Sequence, residues 1–343
     1  MGAGGWLAAI VVVAILFDLT SGMNDASGMV AIATASRALS AVAGLWLAVS
    51  GILLAQVVAS DRVARTLATE IVQLTPGDHH FLPILLAALA GALIWISLSR
   101  ALGLPTSATH ALVGGLIGTA LIAGEPVHWN WPSLLTLRPT GVGRVVVALI
   151  VSPLLGMAAG YGLNGLFRWA FRYSSRQLVG LFNIIQAGLV LCQTFFYGRN
   201  DAQRSMGIVT GALVAGGWLP QFTVPLWVKA LAVVFLSAGA LLGSQRVLLT
   251  IGWRITRLSV VNGLAAQAGS VGTVALATSV GVPISSSQVV AASVAGSGFR
   301  EEGHRVDIRI LRDMALTWLL TLPGAGLAGG LVYLLVHALS RHG

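Results

Sequence analysis

The chain has 343 residues, of which 56% are hydrophobic and only 9% charged. A soluble domain carries about 25% charged residues, so this composition excludes an ordinary soluble enzyme or binding domain and predicts a polytopic membrane protein, with room for about ten spanning elements. The net charge is +9 and the isoelectric point about 11, which in a soluble chain would suggest nucleic acid; here the basic residues flank apolar runs, as cytoplasmic loops require, and no nucleic-acid partner is expected.

The first apolar run lies near 4–34. Met1 to Leu16 carries no charge, so the run reads as a mature span and not a cleaved signal. Trp6 stands where myristoylation needs Ser or Thr. Further runs fall near 40–60, 81–102, 108–124 and 143–167, and then near 182–215, 225–246, 259–280, 286–299 and 313–338. The single Cys192 cannot form an internal disulfide and reads as inert packing.

Two motifs recur in the same order. Ser21-Gly-Met-Asn-Asp-Ala-Ser-Gly28 and Tyr197-Gly-Arg-Asn-Asp-Ala-Gln-Arg204 share Gly-x-Asn-Asp-Ala, 176 residues apart. Gly103-Leu-Pro-Thr-Ser-Ala-Thr-His110 and Gly281-Val-Pro-Ile-Ser-Ser-Ser-Gln288 lie 178 residues apart. Two motifs at nearly one offset indicate duplication, with repeat 1 over 1–170 and repeat 2 over 178–343. An odd number of crossings per half inverts the second copy, the plan of many secondary transporters. The predicted fold is therefore all-α and polytopic: two inverted repeats of about five hydrophobic helical elements each, including a broken or re-entrant hairpin. Alternating the runs across the bilayer places twelve arginines on one face, among them Arg100, Arg168, Arg246 and Arg300, against six basic residues on the other. That asymmetry predicts both termini outside.

The Pro105 segment should stop a helix near Leu104, because proline disfavours helix in the residue before it. Thr106, Ser107 and Thr109 are then N-cap candidates for the next run. Free N–H groups at such a start need partners inside a bilayer, and an anion can supply them. Ser285, Ser286 and Ser287 repeat the arrangement. Two opposed tips of this kind make a cradle for a tetrahedral oxyanion; the alternative is a pair of proline kinks whose hydroxyls bond back into their own helices.

Acids inside apolar runs mark ion pathways. Asn24, Asp25, Asn200 and Asp201 offer hard oxygen ligands for sodium or a path for protons, and Asp18 lies in the same run. Gln203 and Gln267 join the candidates for cation or proton coupling. The alternative for the acids is a helix–helix clamp to Arg199 or Arg204, and for Gln267 interhelical bonding. His110 reads as a packing histidine, and Gly114 with Gly118 as a close-packing pair. No Walker sequence or zinc cluster stands in the chain, so ATP-driven transport is not expected.

These motifs resemble the inorganic phosphate transporter (PiT) family. The fragments that carry the resemblance include Asp18 to Asp25, His110 to Gly118, Asn200 to Gly207, Asn262 to Gln267 and Trp318 to Pro323. The resemblance implies a symporter, not an enzyme, that takes up phosphate with sodium ions or protons. It needs no cofactor beyond sodium as coupling ion, and homodimer formation is left open. Sulfate is the alternative substrate, and a passive channel or a Ser107–His110 hydrolase are the rivals from other classes. The chain departs from the family's pattern at Ala108, which lacks a tip hydroxyl, and at Gln288, which replaces a histidine. It departs also at Gln267, which replaces an acid, and at Gly28 and Tyr197. The substrate cradle is kept while the coupling machinery is altered.

Overall fold

A computed structural model of the chain describes residues 2–58, 61–69, 76–129, 141–173, 178–279, 284–300 and 306–342. Among them there is no strand. Pro283 and the loop arginines Arg138, Arg176 and Arg305 lie outside the described residues.

The first half contains α1 (Ala3–Ala35), α2 (Ala41–Ala55), α3 (Arg62–Thr69), α4 (Phe81–Ala101), α5 (Ala108–Ala123) and α6 (Gly141–Ala170). The second contains α7 (Val179–Asp201), α8 (Gln203–Ala215), α9 (Leu226–Leu242), α10 (Gln245–Leu249), α11 (Val260–Ser279), α12 (Ser286–Arg300) and α13 (Ile308–His342). Every predicted apolar run is helical. The run at 182–215 is α7 and α8 in series, interrupted only at Ala202. That residue keeps helical torsions (φ −63°, ψ −24°), so the pair behaves as one span of 37 residues. Among the described residues seven elements are long and apolar enough to cross a bilayer, and α9 with α10 and its π turn Thr250–Arg254 forms an eighth, bent by 62°. The short α3 carries no apolar run because polar residues such as Arg65 interrupt it, and the run at 225–246 is broken at Gly243 and Ser244, just before α10.

Side chains are distributed inside out. Leu319, Leu327, Leu331 and Leu335 of α13 are more than half exposed, whereas Asp18, Asp25, Asp201 and Arg204 are buried. An apolar exterior around a polar interior suits a solvent of lipid tails. Cys192 is free and faces outward on α7.

The helix contacts come in exchanged pairs. Helix α1 packs on α9, and its counterpart α7 on α2; the hairpin α4–α5 packs on α13, and the hairpin α11–α12 on α6. Each hairpin is thus sealed by the last helix of the other half. The seams are close because their residues are small. A Cβ on Gly114 or Gly118 of α5 would overlap the backbone of Leu322 or Gly326 in α13. On the other side, a Cβ on Gly296 or Gly160 would overlap the backbone of Met157 or Ser293. This exchange holds the two hairpin tips against each other in the interior.

Candidate functional site

Helix α4 ends at Ala101, and Gly103 turns the chain with a left-handed φ of 71°. Ser107 then caps α5, its Oγ accepting from the His110 N–H at 3.1 Å. Ser285 caps α12 in the same way, accepting from the Gln288 N–H at 3.3 Å. A hydroxyl that accepts a capping bond still has its own proton to donate. Ser107 therefore keeps its proton for a further acceptor, whereas that of Ser285 goes to Ser287, whose own proton is given to the Thr106 carbonyl.

The two tips bond to each other through a matched pair of contacts. Ser287 Oγ donates to the Thr106 carbonyl at 2.8 Å, and Thr109 Oγ1 donates to the Ile284 carbonyl at 3.4 Å. Ser285 and Ser287 share a hydroxyl contact of 3.2 Å. Ser107, Thr109, Ser285, Ser286 and Ser287 are each no more than 2% exposed. Thr106 differs. Its hydroxyl turns to Thr321 of α13 at 2.9 Å, and only its carbonyl faces the other tip. Trp95 and Trp318 hold that strut by donating to Thr321 Oγ1 and to the Pro105 carbonyl, at 3.1 and 2.9 Å.

Asn24 and Asp25 lie within α1, and Asn200 and Asp201 close α7. Asn24 Nδ2 donates to Asp25 Oδ1 at 3.0 Å and to the Thr106 carbonyl at 3.4 Å. Ser286 Oγ donates to Asp201 Oδ2 at 3.1 Å. The hydroxyl tips and the acid pair are therefore one contiguous cluster. Arg204, in the first turn of α8, lies between the acids. Its Nη2 is 2.7 Å from Asp201 Oδ1 and 3.3 Å from Asp25 Oδ2, and its Nε donates to the Asp201 carbonyl at 3.1 Å. All three charged side chains are no more than 3% exposed. Two carboxylates so deeply buried would be costly without a compensating cation, and the guanidinium supplies one. The Arg204 clamp weighed from the sequence is therefore present; what the sequence did not suggest is that one arginine engages both acids.

Gln203 and Gln267 stand apart from this cluster. Gln203 Oε1 accepts from the N–H groups of Val63 and Ala64 at 2.9 and 3.1 Å, capping α3. Its amide nitrogen donates to the Arg199 carbonyl at 2.5 Å. Gln267 Nε2 donates to Gln193 Oε1, joining α11 to α7. Asn200 is buried with its Nδ2 unbonded, and neither ring nitrogen of His110 has a partner among the described residues. Ser107 is engaged by the backbone of His110 and not by its ring, so no Ser–His nucleophile pair is formed. Asp18 is buried beside Ser205, and neither of its carboxylate oxygens has a partner of full hydrogen-bond geometry among the described residues. It lines a cavity of about 10 Å³ with Ser205 and Trp227, room for about one water.

Exchanged hairpins, opposed hydroxyl-capped tips and buried charges define an inverted-repeat membrane carrier. The chain belongs to the phosphate transporter family: the family's model matches twice, at residues 21–179 and 170–329. The two matches coincide with the two halves of the fold. Relatives described as probable low-affinity inorganic phosphate transporters include one from Mycobacterium leprae (strain TN), 30% identical over 98% of this chain and 79% of its own length. Another, from Rhizobium meliloti (strain 1021), is 29% identical over 95% of both chains. One from Bacillus subtilis (strain 168) is 26% identical over 96% of both. Among solved structures, "The sodium-dependent phosphate transporter" superposes with a TM-score of 0.78 at 21% identity, covering 97% of this chain and 99% of that one. At that identity the likeness speaks for the fold alone.

Proposed function

We propose that the chain is a secondary symporter that moves inorganic phosphate across the cell membrane, driven by a cation gradient, with its two repeats meeting near residues 170–178. The observation that carries this reading is the convergence of two capped helix starts on one buried cluster. Ser107 keeps an uncommitted hydroxyl proton, Thr109, Ser285, Ser286 and Ser287 supply hydroxyls that would turn from their present acceptors to a ligand, and the N-terminal ends of α5 and α12 supply partial positive charge. Thr106 contributes position through its carbonyl and its Thr321 strut. The family membership and the descriptions of the relatives support phosphate as the substrate. Asp25 and Asp201, with Asn24 and Asn200, form the coupling region in this reading. Gln203 and Gln267 serve it from outside as a cap and an interhelical bond.

Sulfate is the second reading, and the acids favour phosphate over it. Near neutral pH phosphate still carries a proton to donate to a carboxylate, and sulfate does not. Asp201 lies one hydrogen bond behind Ser286, where a fully deprotonated anion would be repelled. The orientation in this reading has both termini outside. It is supported by Arg168, whose Nη1 donates to the Arg300 carbonyl at 3.1 Å, since both residues fall on the arginine-rich face.

Counterflow of labelled phosphate in proteoliposomes, with sulfate as competitor, tests the reading. Phosphate exchange that excess sulfate leaves intact is the expected result. Exchange carried by sulfate alone would replace phosphate with sulfate in this account.

A further inference from the structure

We propose that Arg204 is a tethered cation that takes the place a sodium ion would occupy between Asp25 and Asp201, so that the carrier runs without sodium. The inference rests on the reading of the chain as a phosphate symporter, and it names which cation that symporter does not use. A sodium site between these helices would draw on two kinds of oxygen: the paired carboxylates, and a main-chain carbonyl at a helix end. The guanidinium already holds each of them. Nη2 engages Asp201 Oδ1 at 2.7 Å and Asp25 Oδ2 at 3.3 Å, and Nε takes the Asp201 carbonyl at 3.1 Å.

The geometry opposes displacement of this charge. Arg204 enters from the first turn of α8, three residues after the acid it pairs with most closely, and is 2% exposed. Guanidinium stays protonated at any physiological pH and is more weakly hydrated than an ammonium group, which suits a buried pair. A mobile ion would have to expel a covalently held one that cannot leave. The duplication makes the assignment specific. In the first repeat the position equivalent to Arg204 is Gly28, which brings no charge. One arginine thus serves both acids. The other titratable groups near the pair are Asp18 of α1, Tyr197 of α7 and His110 of α5, and none of them is a fixed cation.

A different role for the same side chain would be as a direct ligand of the phosphate, and the experiment separates the two. Purified full-length protein in proteoliposomes is assayed for net phosphate uptake and for phosphate counterflow, in sodium chloride and in choline chloride at one pH. The parent should take up phosphate at rates within about twofold in the two media, and Arg204→Lys, which keeps a tethered charge but not the fork, should be slower yet equally indifferent to sodium. Arg204→Ser should take up phosphate at least about tenfold faster in sodium than in choline, and only in this variant should sodium raise the unfolding temperature, because a ligand that binds only the folded state stabilises it. A parent that stops in choline would overturn the proposal. So would an Arg204→Ser protein that folds but ignores sodium in both uptake and melting, the behaviour of a lost phosphate ligand. If Arg204→Ser does not fold, the parent and Arg204→Lys in choline decide. A parent with no phosphate counterflow in either medium would instead remove the phosphate reading itself.

Discussion

Ser287 donates its hydroxyl to the main-chain carbonyl of Thr106, 181 residues earlier, at 2.8 Å. Thr109 returns a bond from the first tip to the second, to the Ile284 carbonyl at 3.4 Å. Thr109 and Ser287 are equivalent positions of the two repeats, so the interior is closed by one contact made twice. Each tip is held in place by the other. A change at one tip is therefore felt at both, and a ligand seated between them is gripped from two opposed helix starts.

Asp25→Asn and Asp201→Asn should each reduce cation-coupled uptake more than they reduce expression. Asp201 should be the more sensitive, because it holds both Ser286 and the shorter arginine contact. Breaking a buried pair by removing one partner costs about 3–5 kcal/mol, and in either variant Arg204 keeps one acid, which places the loss of stability at the lower end. Uptake as a function of pH checks this. An unchanged pH dependence in the two variants would make the acids structural only.

Gln203→Ala should behave differently from those variants. It uncaps Val63 and Ala64 at the start of α3, and loss of a cap costs about 1 kcal/mol. The melting temperature should fall while phosphate affinity and ion dependence stay unchanged. A change in ion dependence would return Gln203 to the coupling machinery.

Ala108→Ser should tighten phosphate binding, by about tenfold or more if the new hydroxyl makes one bond to a charged group. Position 108 is the equivalent of Ser286, whose hydroxyl reaches Asp201. The first tip lacks that contact, and Asp25 takes its neighbour Asn24 instead. Phosphate titration of the purified variant measures the effect, and weaker binding would show that the asymmetry is required.

Cysteines placed at 168–173 and at 306–312 should label from the cytoplasmic side, with those near either terminus labelling from outside. Labelling of both loops from outside would reverse the orientation.

Much of this arrangement was legible in the residues. The apolar runs are long and uninterrupted, so they fell on helices with ends shifted by a few residues. The tips were legible because Pro105 and the hydroxyls of Ser107 and Ser285 carry local stop and cap signals, which depend on near neighbours in the chain. What escaped depended on distant partners. Thr106 looks like its neighbours, but Thr321 of α13 turns its hydroxyl away. Gln203 follows Asp201 closely in the chain, yet its amide is occupied by α3 from the other repeat. Arg204 could be named as a clamp, but its hold on both acids appears only once α1 and α7 lie side by side. The short α3 gave no apolar run, and α10 was merged into the end of the run at 225–246.

The most direct test of the central claim is phosphate binding to purified protein carrying Ser107→Gly or Ser286→Ala. Glycine at a cap costs only a few tenths of a kcal/mol, so Ser107→Gly removes the hydroxyl while sparing the helix start. A hydrogen bond to a charged group is worth about 1.5–3 kcal/mol, and at about 1.4 kcal/mol per decade each variant should bind phosphate roughly 10-fold to 150-fold more weakly than the parent. If both variants fold and bind phosphate within about twofold of the parent, the paired tips are not the binding site and the account is contradicted.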